Sequence, residues 1–341
     1  MEKRTRLILL GAVLLAALVA AYFLLREPPQ TLPPTADATW SKDDPQAPIQ
    51  RGGDGKAVTQ EPPPGNEFKV VLDDNPTYFL SAGDDTASGD SADNIINAGD
   101  GNDTVRAGAG DDHVKGGKGN DALFGEDGND FLKGGLGEDN LEGGDGDDRL
   151  VGAEDNDVID GGDGNDWAIG AEGDDVISGG KGDDRMDGVM GNDTISGDEG
   201  NDYVEAGDGN DVVTGGPGND ELIGQDGDDV IRGGPGADVL DGSGGADKYV
   251  YLPEDVDGQK DTIKKLQYRE GDVIDVSAVL AEGGYSGDGS LQSLQNHLSF
   301  ENGVLRIDPS GQGNFVDLVA IERTKTDLGA LIGANAIKVL P

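Results

Sequence analysis

The chain has 341 residues, of which 59 are glycine, 69 are acidic and 25 are basic, and it contains no cysteine. The formal charge of −44 disfavours direct nucleic-acid binding, which requires a basic surface, and the lack of cysteine excludes disulfides and cysteine-based zinc sites. A chain this acidic and poor in aromatic residues folds only if a periodic pattern buries small aliphatic residues in register or bound cations neutralise the acid.

The N-terminus has the pattern of a membrane signal. Residues 7–25 carry no charge and follow Lys3, Arg4 and Arg6, so they can cross a bilayer as one hydrophobic helix with its basic end in the cytoplasm. A cleaved signal peptide is the alternative, although its apolar core is usually shorter. We favour the uncleaved anchor in residues 1–26, which would make the membrane a partner. Both interpretations place the bulk of the chain outside the cytoplasm.

Residues 27–67 are predicted to form an extended, solvated linker, because they hold nine of the fifteen prolines and few aliphatic residues. Two short strands are predicted next, at 68–72 and 77–80. We expect this segment, 68–80, to cover the N-terminal end of the domain that follows.

Residues 81–251 consist of nineteen consecutive nine-residue units without an insertion. Counted from Ser81, the third position is glycine in seventeen units and the fifth is aspartate in eighteen. The exceptions are Ala92 and Asp155 at the third position and Asn94 at the fifth. The seventh position is aliphatic in every unit except the last, where Tyr249 stands. Such regularity predicts a solenoid in which stacked units bury one continuous apolar column.

The residue types indicate a metal site in each turn. Glycine permits the positive φ angles of tight turns, and we expect these turns to direct backbone carbonyls inward beside the aspartate carboxylate. An all-oxygen shell suits a hard cation, and a flexible loop that supplies six to eight oxygens favours Ca²⁺ over Mg²⁺. The alternative is that the acid only solvates a surface. It predicts a mixture of Asp and Glu, whereas the fifth position never uses Glu.

These units resemble the RTX family of glycine- and aspartate-rich nonapeptide repeats, G-G-x-G-x-D-x-U-x, where U is a large aliphatic residue. The resemblance implies an all-β fold, a right-handed parallel β-roll with two units per turn, and several Ca²⁺ ions held between turns. It also implies that backbone carbonyls complete each site. At Asn94 and Asp155 the pattern is incomplete. The ligands implied by the resemblance are Asp85, Asp103, Asp112, Asp121, Asp130, Asp139, Asp148, Asp157, Asp166, Asp175, Asp184, Asp193, Asp202, Asp211, Asp220, Asp229, Asp238 and Asp247.

The charge of the repeats supports bound cations. Residues 81–251 contain 45 acidic and 9 basic residues, a net charge of −36. About sixteen calcium ions would bring about +32 and nearly cancel that charge. We therefore expect the segment to unfold without calcium.

Residues 252–341 have a more globular composition and are predicted to form a β-rich C-terminal cap. Residues 245–251, 271–277 and 305–308 are similar to the targeting domain of RTX proteins exported by type I secretion. Such proteins normally lack an N-terminal apolar signal, and we favour the anchor over this export route. The predicted elements are strands at 272–277, 315–321 and 336–340, a hairpin at 298–308 about Asn302-Gly303, and short helices at 291–297 and 327–332.

An aromatic and basic strip is predicted on one sheet, since residues eighteen apart are neighbours. Its members, which we call the strip, are Phe131, Arg149, Trp167, Arg185 and Tyr203. Rings about 10 Å apart are suited to stacking on sugars of a cell-surface or matrix polysaccharide. The alternative, which we favour, is cation–π and cross-strand pairing that stabilises the sheet.

We find no catalytic motif and predict a non-enzymatic, calcium-binding protein, extracellular or on a bacterial cell surface, that folds on binding Ca²⁺ and serves adhesion or matrix attachment. Two alternatives remain. One is a carbohydrate-binding module that uses the strip, and the other is an exported enzyme accessory with an activity in residues 252–341.

Overall fold

Each nonapeptide forms one strand and one turn. In the computed structural model, strands begin at the sixth position, as at Thr104 and Ala122, where outward polar and inward aliphatic side chains alternate. The structure describes residues 68–71, 77–80, 82–287, 291–322 and 328–339. All of them belong to one structural unit, residues 49–341.

Consecutive strands alternate between two sheets, and strands eighteen residues apart pair in parallel. Arg149 is thus opposite Trp167 in one sheet, and Val158 is opposite Val176 in the other. Two units therefore make one turn, and the repeats make about ten turns. The predicted parallel β-solenoid is confirmed.

One sheet consists of odd-numbered strands and the other mainly of even-numbered strands, which lie side by side, mostly in chain order. The first sheet consists of β1 (Phe68–Val71), β3 (Asp85–Ser88), β5 (Thr104–Ala109), β7 (Ala122–Asp127), β9 (Asn140–Asp145), β11 (Val158–Asp163), β13 (Val176–Lys181), β15 (Thr194–Glu199), β17 (Val212–Thr214), β19 (Val230–Arg232), β21 (Lys248–Val250), β23 (Val273–Asp275) and β27 (Ile337–Lys338). The second consists of β2 (Thr77–Phe79), β4 (Ile95–Asp100), β6 (His113–Lys118), β8 (Phe131–Leu136), β10 (Arg149–Glu154), β12 (Trp167–Glu172), β14 (Arg185–Met190), β16 (Tyr203–Asp208), β18 (Glu221–Asp226), β20 (Val239–Asp241), β22 (Asp261–Ile263), β26 (Val316–Ile321), β25 (Val304–Ile307) and β24 (Leu298–Glu301).

The seventh position of each unit points between the sheets and forms the core. Leu123, Leu141 and Ile159 are buried neighbours in the first sheet, and Leu132 and Leu150 are buried neighbours in the second. Because each unit contributes one such side chain, the apolar column exists only when the turns are stacked.

The segments that flank the repeats continue the two sheets. β1 and β2 pair in parallel with β3 and β4, so the N-terminal strands add a further turn to the roll. At the other end, β22 and β23 extend the two sheets, and β26 and β27 extend them again.

The C-terminal segment has a strand, hairpin or helix at each of the predicted places. The antiparallel hairpin β24–β25 turns at Asn302 and Gly303, whose φ angles of 53° and 82° suit this dipeptide. Among the described residues of this segment, the helices are a 3₁₀ turn and three short α-helices. They are the 3₁₀ turn Pro253–Asp255, α1 (Ser277–Glu282), α2 (Leu291–Leu294) and α3 (Leu328–Gly333). The sequence did not predict β22, α1 or the 3₁₀ turn.

Within residues 68–339, apart from the segments that are not described, no helix has the length and apolar character needed to cross a bilayer. The anchor predicted at residues 7–25 lies outside the described residues, as does the linker predicted at 27–67.

Most units have glycine at the first position. In several other units the first residue is not glycine and still has a positive φ. Val189 has φ +80°, and Glu126, Ala153 and Gln225 have φ between +77° and +109°. This left-handed conformation costs an L-residue about 1–2 kcal/mol, and a β-branched side chain suits it least. Val189 is therefore a strained position in the roll.

We expect Val189→Gly to raise the stability of the calcium-loaded protein by roughly 1 kcal/mol, because glycine adopts a positive φ without strain. The matched control is Val176→Gly at an exposed strand position of ordinary φ. That change should lower stability by roughly 0.5–1 kcal/mol. Thermal unfolding in saturating calcium measures both. Equal destabilisation by the two variants would contradict the assignment of strain to Val189.

Candidate metal centre

The aspartate at the fifth position ends each turn, directly before a strand. Asp121 precedes the first residue of β7, and Asp130 precedes the first residue of β8. All eighteen predicted aspartates are buried, with at most 3% of the residue exposed. Turns that lead into one sheet alternate with turns that lead into the other. The carboxylates therefore form two columns, one at each edge of the roll.

Hydrogen bonds link the carboxylates of each column into a ladder. The backbone N–H of Asp121 donates to Oδ1 of Asp139 at 2.7 Å, and that of Asp130 donates to Oδ1 of Asp148 at 2.7 Å. The same bond recurs from Asp85 to Asp247 with N···O distances of 2.6–3.2 Å. From Asp103 onward, one oxygen of each carboxylate is thus fixed by the turn that precedes it in the column.

The second carboxylate oxygen, Oδ2, is buried without a hydrogen-bond partner in seventeen of these residues. An isolated buried carboxylate costs several kcal/mol in desolvation unless a cation or donors compensate it. The seventeen residues are Asp103, Asp112, Asp121, Asp130, Asp139, Asp148, Asp157, Asp166, Asp175, Asp184, Asp193, Asp202, Asp211, Asp220, Asp229, Asp238 and Asp247.

Glycine at the ninth position makes room for this oxygen. A Cβ atom on Gly143 would lie 2.3 Å from Oδ2 of Asp148 and 2.4 Å from the backbone oxygen of Gly161. A carboxylate oxygen and a carbonyl oxygen therefore lie together beside the glycine Cα. A side chain at Gly143 would force these oxygens to shift, although alanine occupies the ninth position at Ala98, Ala107 and Ala206.

The set of donors consists of carboxylate and carbonyl oxygens. Among the described residues, no three His, Cys, Asp or Glu side chains converge on one point. A shell of six to eight oxygens would therefore need backbone carbonyls beside the aspartates. An oxygen-only set with few side chains fits Ca²⁺ and gives no nitrogen or sulfur ligand to a transition metal.

A family model supports this chemistry from the sequence side. The model of the RTX calcium-binding nonapeptide repeat matches residues 79–249 in overlapping segments, which together cover half of the chain.

The chain belongs to the RTX calcium-binding repeat family. It is a calcium-binding β-roll protein, and its cofactor is Ca²⁺ at multiple sites. No curated protein matches the chain. Residues 252–341 lie outside the family match, so their similarity to a type I secretion domain stays a prediction.

In the RTX roll the ladder of buried aspartates continues past Asp155, whereas at Asn94 the side chain has different hydrogen-bond partners. Asp155 is exposed with φ +74°, yet the next ladder residue, Asp157, still donates its N–H to Asp175 and keeps a buried, unpartnered Oδ2. The replaced glycine therefore leaves the column intact. Asn94 instead bonds within its own turn.

Two ladder residues beyond the repeats were missed. The N–H of Asp238 donates to Oδ1 of Asp261 at 3.0 Å, and that of Asp247 donates to Oδ1 of Asp272 at 3.3 Å. The tripeptides Asp-Thr-Ile at 261–263 and Asp-Val-Ile at 272–274 repeat the fifth to seventh positions of a unit. This signal was present, but insertions bring the spacings to 23 and 25 residues.

A second, exposed ladder at the fourth position was also missed. Oδ1 of Asn102 accepts a hydrogen bond from the N–H of Asn120 at 3.0 Å, and Oδ1 of Asp147 accepts one from the N–H of Asn165 at 2.9 Å. The bond runs from a later turn to an earlier one, opposite to the buried ladder. The signal was the frequent Asn or Asp at this position, where short side chains can reach a neighbouring backbone N–H.

The five strip residues are adjacent as predicted, in the order Phe131, Arg149, Trp167, Arg185 and Tyr203. The guanidinium of Arg149 lies 5.6 Å from the Phe131 ring and 4.7 Å from the Trp167 ring, and that of Arg185 lies 4.5 Å from the Tyr203 ring. On its other side, Phe131 stacks on His113 with ring centroids 4.5 Å apart. These contacts support a role in stabilising the sheet. A role in ligand binding stays a prediction.

The ladder carboxyls have raised pKa values. Burial raises the pKa of Asp148 to about 7 and that of Asp157 to about 8, and neighbouring ladder carboxylates add to both shifts. The exposed fourth-position residues differ, because hydrogen bonds from Asn192 and Asn201 lower the pKa of Asp174 and Asp183.

We therefore expect acid to stabilise the calcium-free roll. The folded pKa values lie above the unfolded value of 3.8, so the folded chain binds more protons than the unfolded chain. This stabilisation is complete below about pH 4 and is lost as pH rises through about 6–8. Circular dichroism of calcium-stripped protein should show more β-structure at pH 5 than at pH 8. A midpoint near pH 4 would instead assign the effect to surface carboxylates, and no change would contradict the prediction.

Proposed function

We propose that the roll is a calcium-dependent folding module of a non-enzymatic protein that acts outside the cytoplasm. The observation that carries the proposal is the set of seventeen buried Oδ2 atoms without a partner. Each needs a positive charge in the folded state, and the two columns offer no protein cation to supply it. Binding free energy then becomes folding free energy, as in other domains that fold around a metal.

In this proposal the ions lie along the two carboxylate columns, and the ladder aspartates are ligands together with backbone carbonyls of the glycine turns. Oδ1 of Asp148 accepts the backbone N–H of Asp130, so Oδ2 is the oxygen directed to the ion. We further expect the coil to be right-handed, because parallel strand crossovers are right-handed in almost all proteins.

The proposed location follows from calcium supply and charge. The repeats carry 45 acidic and 9 basic residues, so calcium-poor cytosol would leave them expanded by their own repulsion. Extracellular modules commonly bind calcium with dissociation constants of about 10⁻⁴–10⁻³ M, which suits a chain that folds after export. The apolar residues 7–25 support delivery to the membrane or beyond it.

We propose a mechanical role, such as adhesion or matrix attachment, and no catalytic role. One oxygen of the ladder carboxylates is held by a backbone N–H, and the other is buried and assigned to calcium. His113 stacks on Phe131, and His297 packs against Tyr285 and bonds the Asp308 carbonyl. We assign the strip to sheet stabilisation, because stacking on a sugar requires an open ring face and Phe131 has neighbours on both faces.

The direct test is a far-UV circular dichroism titration of the protein with Ca²⁺ and, separately, with Mg²⁺. We expect a transition from coil to β-structure with Ca²⁺ alone, because Mg²⁺ requires a compact octahedral site and keeps its waters. A full β signal in excess chelator at pH 8, unchanged by calcium, would refute the proposal.

A pair of adjacent substitutions tests the role of the buried ladder. Asp148→Asn keeps the oxygen that accepts the Asp130 N–H but removes the charge and the free Oδ2. It should lower the number of bound ions by at least one and shift the folding midpoint to higher calcium. Asp147→Asn removes the same charge from the exposed ladder, where asparagine already occurs at Asn165 and Asn129.

Asp147→Asn should therefore leave the ion number unchanged. Equilibrium dialysis gives the ion number, and circular dichroism gives the midpoint. Equal effects of the two substitutions would mean that calcium responds to total charge and not to the buried columns.

A further inference from the structure

The turn at Asn94 satisfies its own polar groups. Oδ1 of Asn94 accepts the N–H of Asp90 at 3.2 Å, while Nδ2 donates to the carbonyl of Ala92 at 2.8 Å and to Oδ1 of Asp90 at 3.3 Å. The side chain lies where other units place the carboxylate, since a Cβ atom on Gly89 would be 2.4 Å from its Oδ1. An uncharged amide with partners for both its oxygen and its nitrogen does not require a cation.

The backbone of this turn also departs from the other turns. Gly99 and Gly101 of the next unit have φ angles of +116° and +141°, whereas Asp90 and Ala92 at the same positions do not have positive φ. The turn therefore does not present its carbonyls as the glycine turns do. Asn94 still belongs to the column, because its N–H donates to Oδ1 of Asp112 at 2.6 Å.

The opposite end of the roll is closed by a different donor. Oδ1 of Asp272 accepts the N–H of Asp247 at 3.3 Å, and its Oδ2 accepts the N–H of Gln267. In the preceding member of the same column, Asp247, Oδ2 is buried without a partner. The loop before β23 thus supplies Asp272 with the donor that the ladder aspartates lack.

We propose that each of the two calcium columns has a metal-independent turn at one end, where protein hydrogen-bond donors replace the ion. The column that contains Asp112 has this turn at its N-terminal end, at Asn94, and the column that contains Asp247 has it at its C-terminal end, at Asp272. This inference rests on the proposed calcium role of the ladder aspartates. It assigns the ions to the span from Asp103 to Asp247. Each terminal turn extends the ladder and the sheets while needing no calcium of its own.

The C-terminal closure is tested by two substitutions in one column of the full-length chain. Asp247→Asn removes a free Oδ2 and should lower the number of calcium ions per folded chain by at least one. Asp272→Asn removes a carboxylate whose oxygens are already bonded and should leave that number unchanged. Native mass spectrometry in saturating calcium counts the ions, and circular dichroism verifies the fold. A similar loss for Asp272→Asn would overturn closure at this end.

The N-terminal closure is tested by restoring the repeat pattern. The triple variant Asp90→Gly, Ala92→Gly and Asn94→Asp supplies the two turn glycines and the buried carboxylate. It should bind at least one ion more than the wild-type protein. Because its turn then matches the turns of the neighbouring units, we expect it to fold. Its result is independent of the result for the Asp272 variant. An unchanged ion number in the folded triple variant would overturn closure at Asn94.

These outcomes are separable from failure of the proposed function. A wild-type protein that binds no calcium would refute the calcium role itself. A wild-type protein that binds many ions, with equal losses for the Asp247 and Asp272 variants and no gain for the triple variant, would refute the closure alone.

Discussion

The roll depends on a buried carboxylate oxygen that no protein donor satisfies. Every turn from Asp103 to Asp247 contributes one such oxygen, and the backbone bond to the other oxygen prevents the side chain from turning out to water. Stacking the turns therefore gathers negative charge in two columns that the apolar core alone cannot offset. The same stacking creates the core, because the aliphatic residues meet only when the turns are in register. We therefore propose that core formation is coupled to cation binding.

This coupling explains why the nonapeptide tolerates change at some positions and not at others. In the proposed calcium site, the fifth position must supply one acceptor to the preceding turn and one oxygen to the ion, and the short side chain of aspartate can do both. The ninth position is restricted to small residues in all but the last unit, because the space beside it holds that oxygen: glycine is usual, as at Gly143 beside Asp148, and alanine occurs at Ala98, Ala107 and Ala206. The sixth and eighth positions point outward, so they accommodate residues as different as Trp167, Arg185 and Val158.

The nine-residue periodicity predicts the fold closely, because each position of the unit has one structural place. Glycine marks the turn, aspartate the carboxylate column and the aliphatic residue the inward face of the strand. The sequence therefore predicted that Arg149 and Trp167 are neighbours in one sheet and that the seventh-position side chains form a buried apolar column. It did not predict Asp261 and Asp272, since loops of unequal length hide their place in the ladder. Nor did it predict that Val189 would keep the positive φ of a glycine, because neighbouring turns impose that conformation on the residue.

Interactions in the roll are local along the chain, since each strand pairs with the strand eighteen residues away. A calcium ion that lies between two turns can stabilise a turn only when the neighbouring turn is already formed. Calcium binding should therefore spread from formed turns to adjacent ones. Forming the first turns is then costly in free energy if every buried carboxylate in them needs an ion. The C-terminal end lowers that cost, because Asp272 has donors from Asp247 and Gln267 and the hairpin β24–β25 joins the second sheet through β26. We therefore expect the cap to offer the last glycine turn a neighbour that forms without calcium.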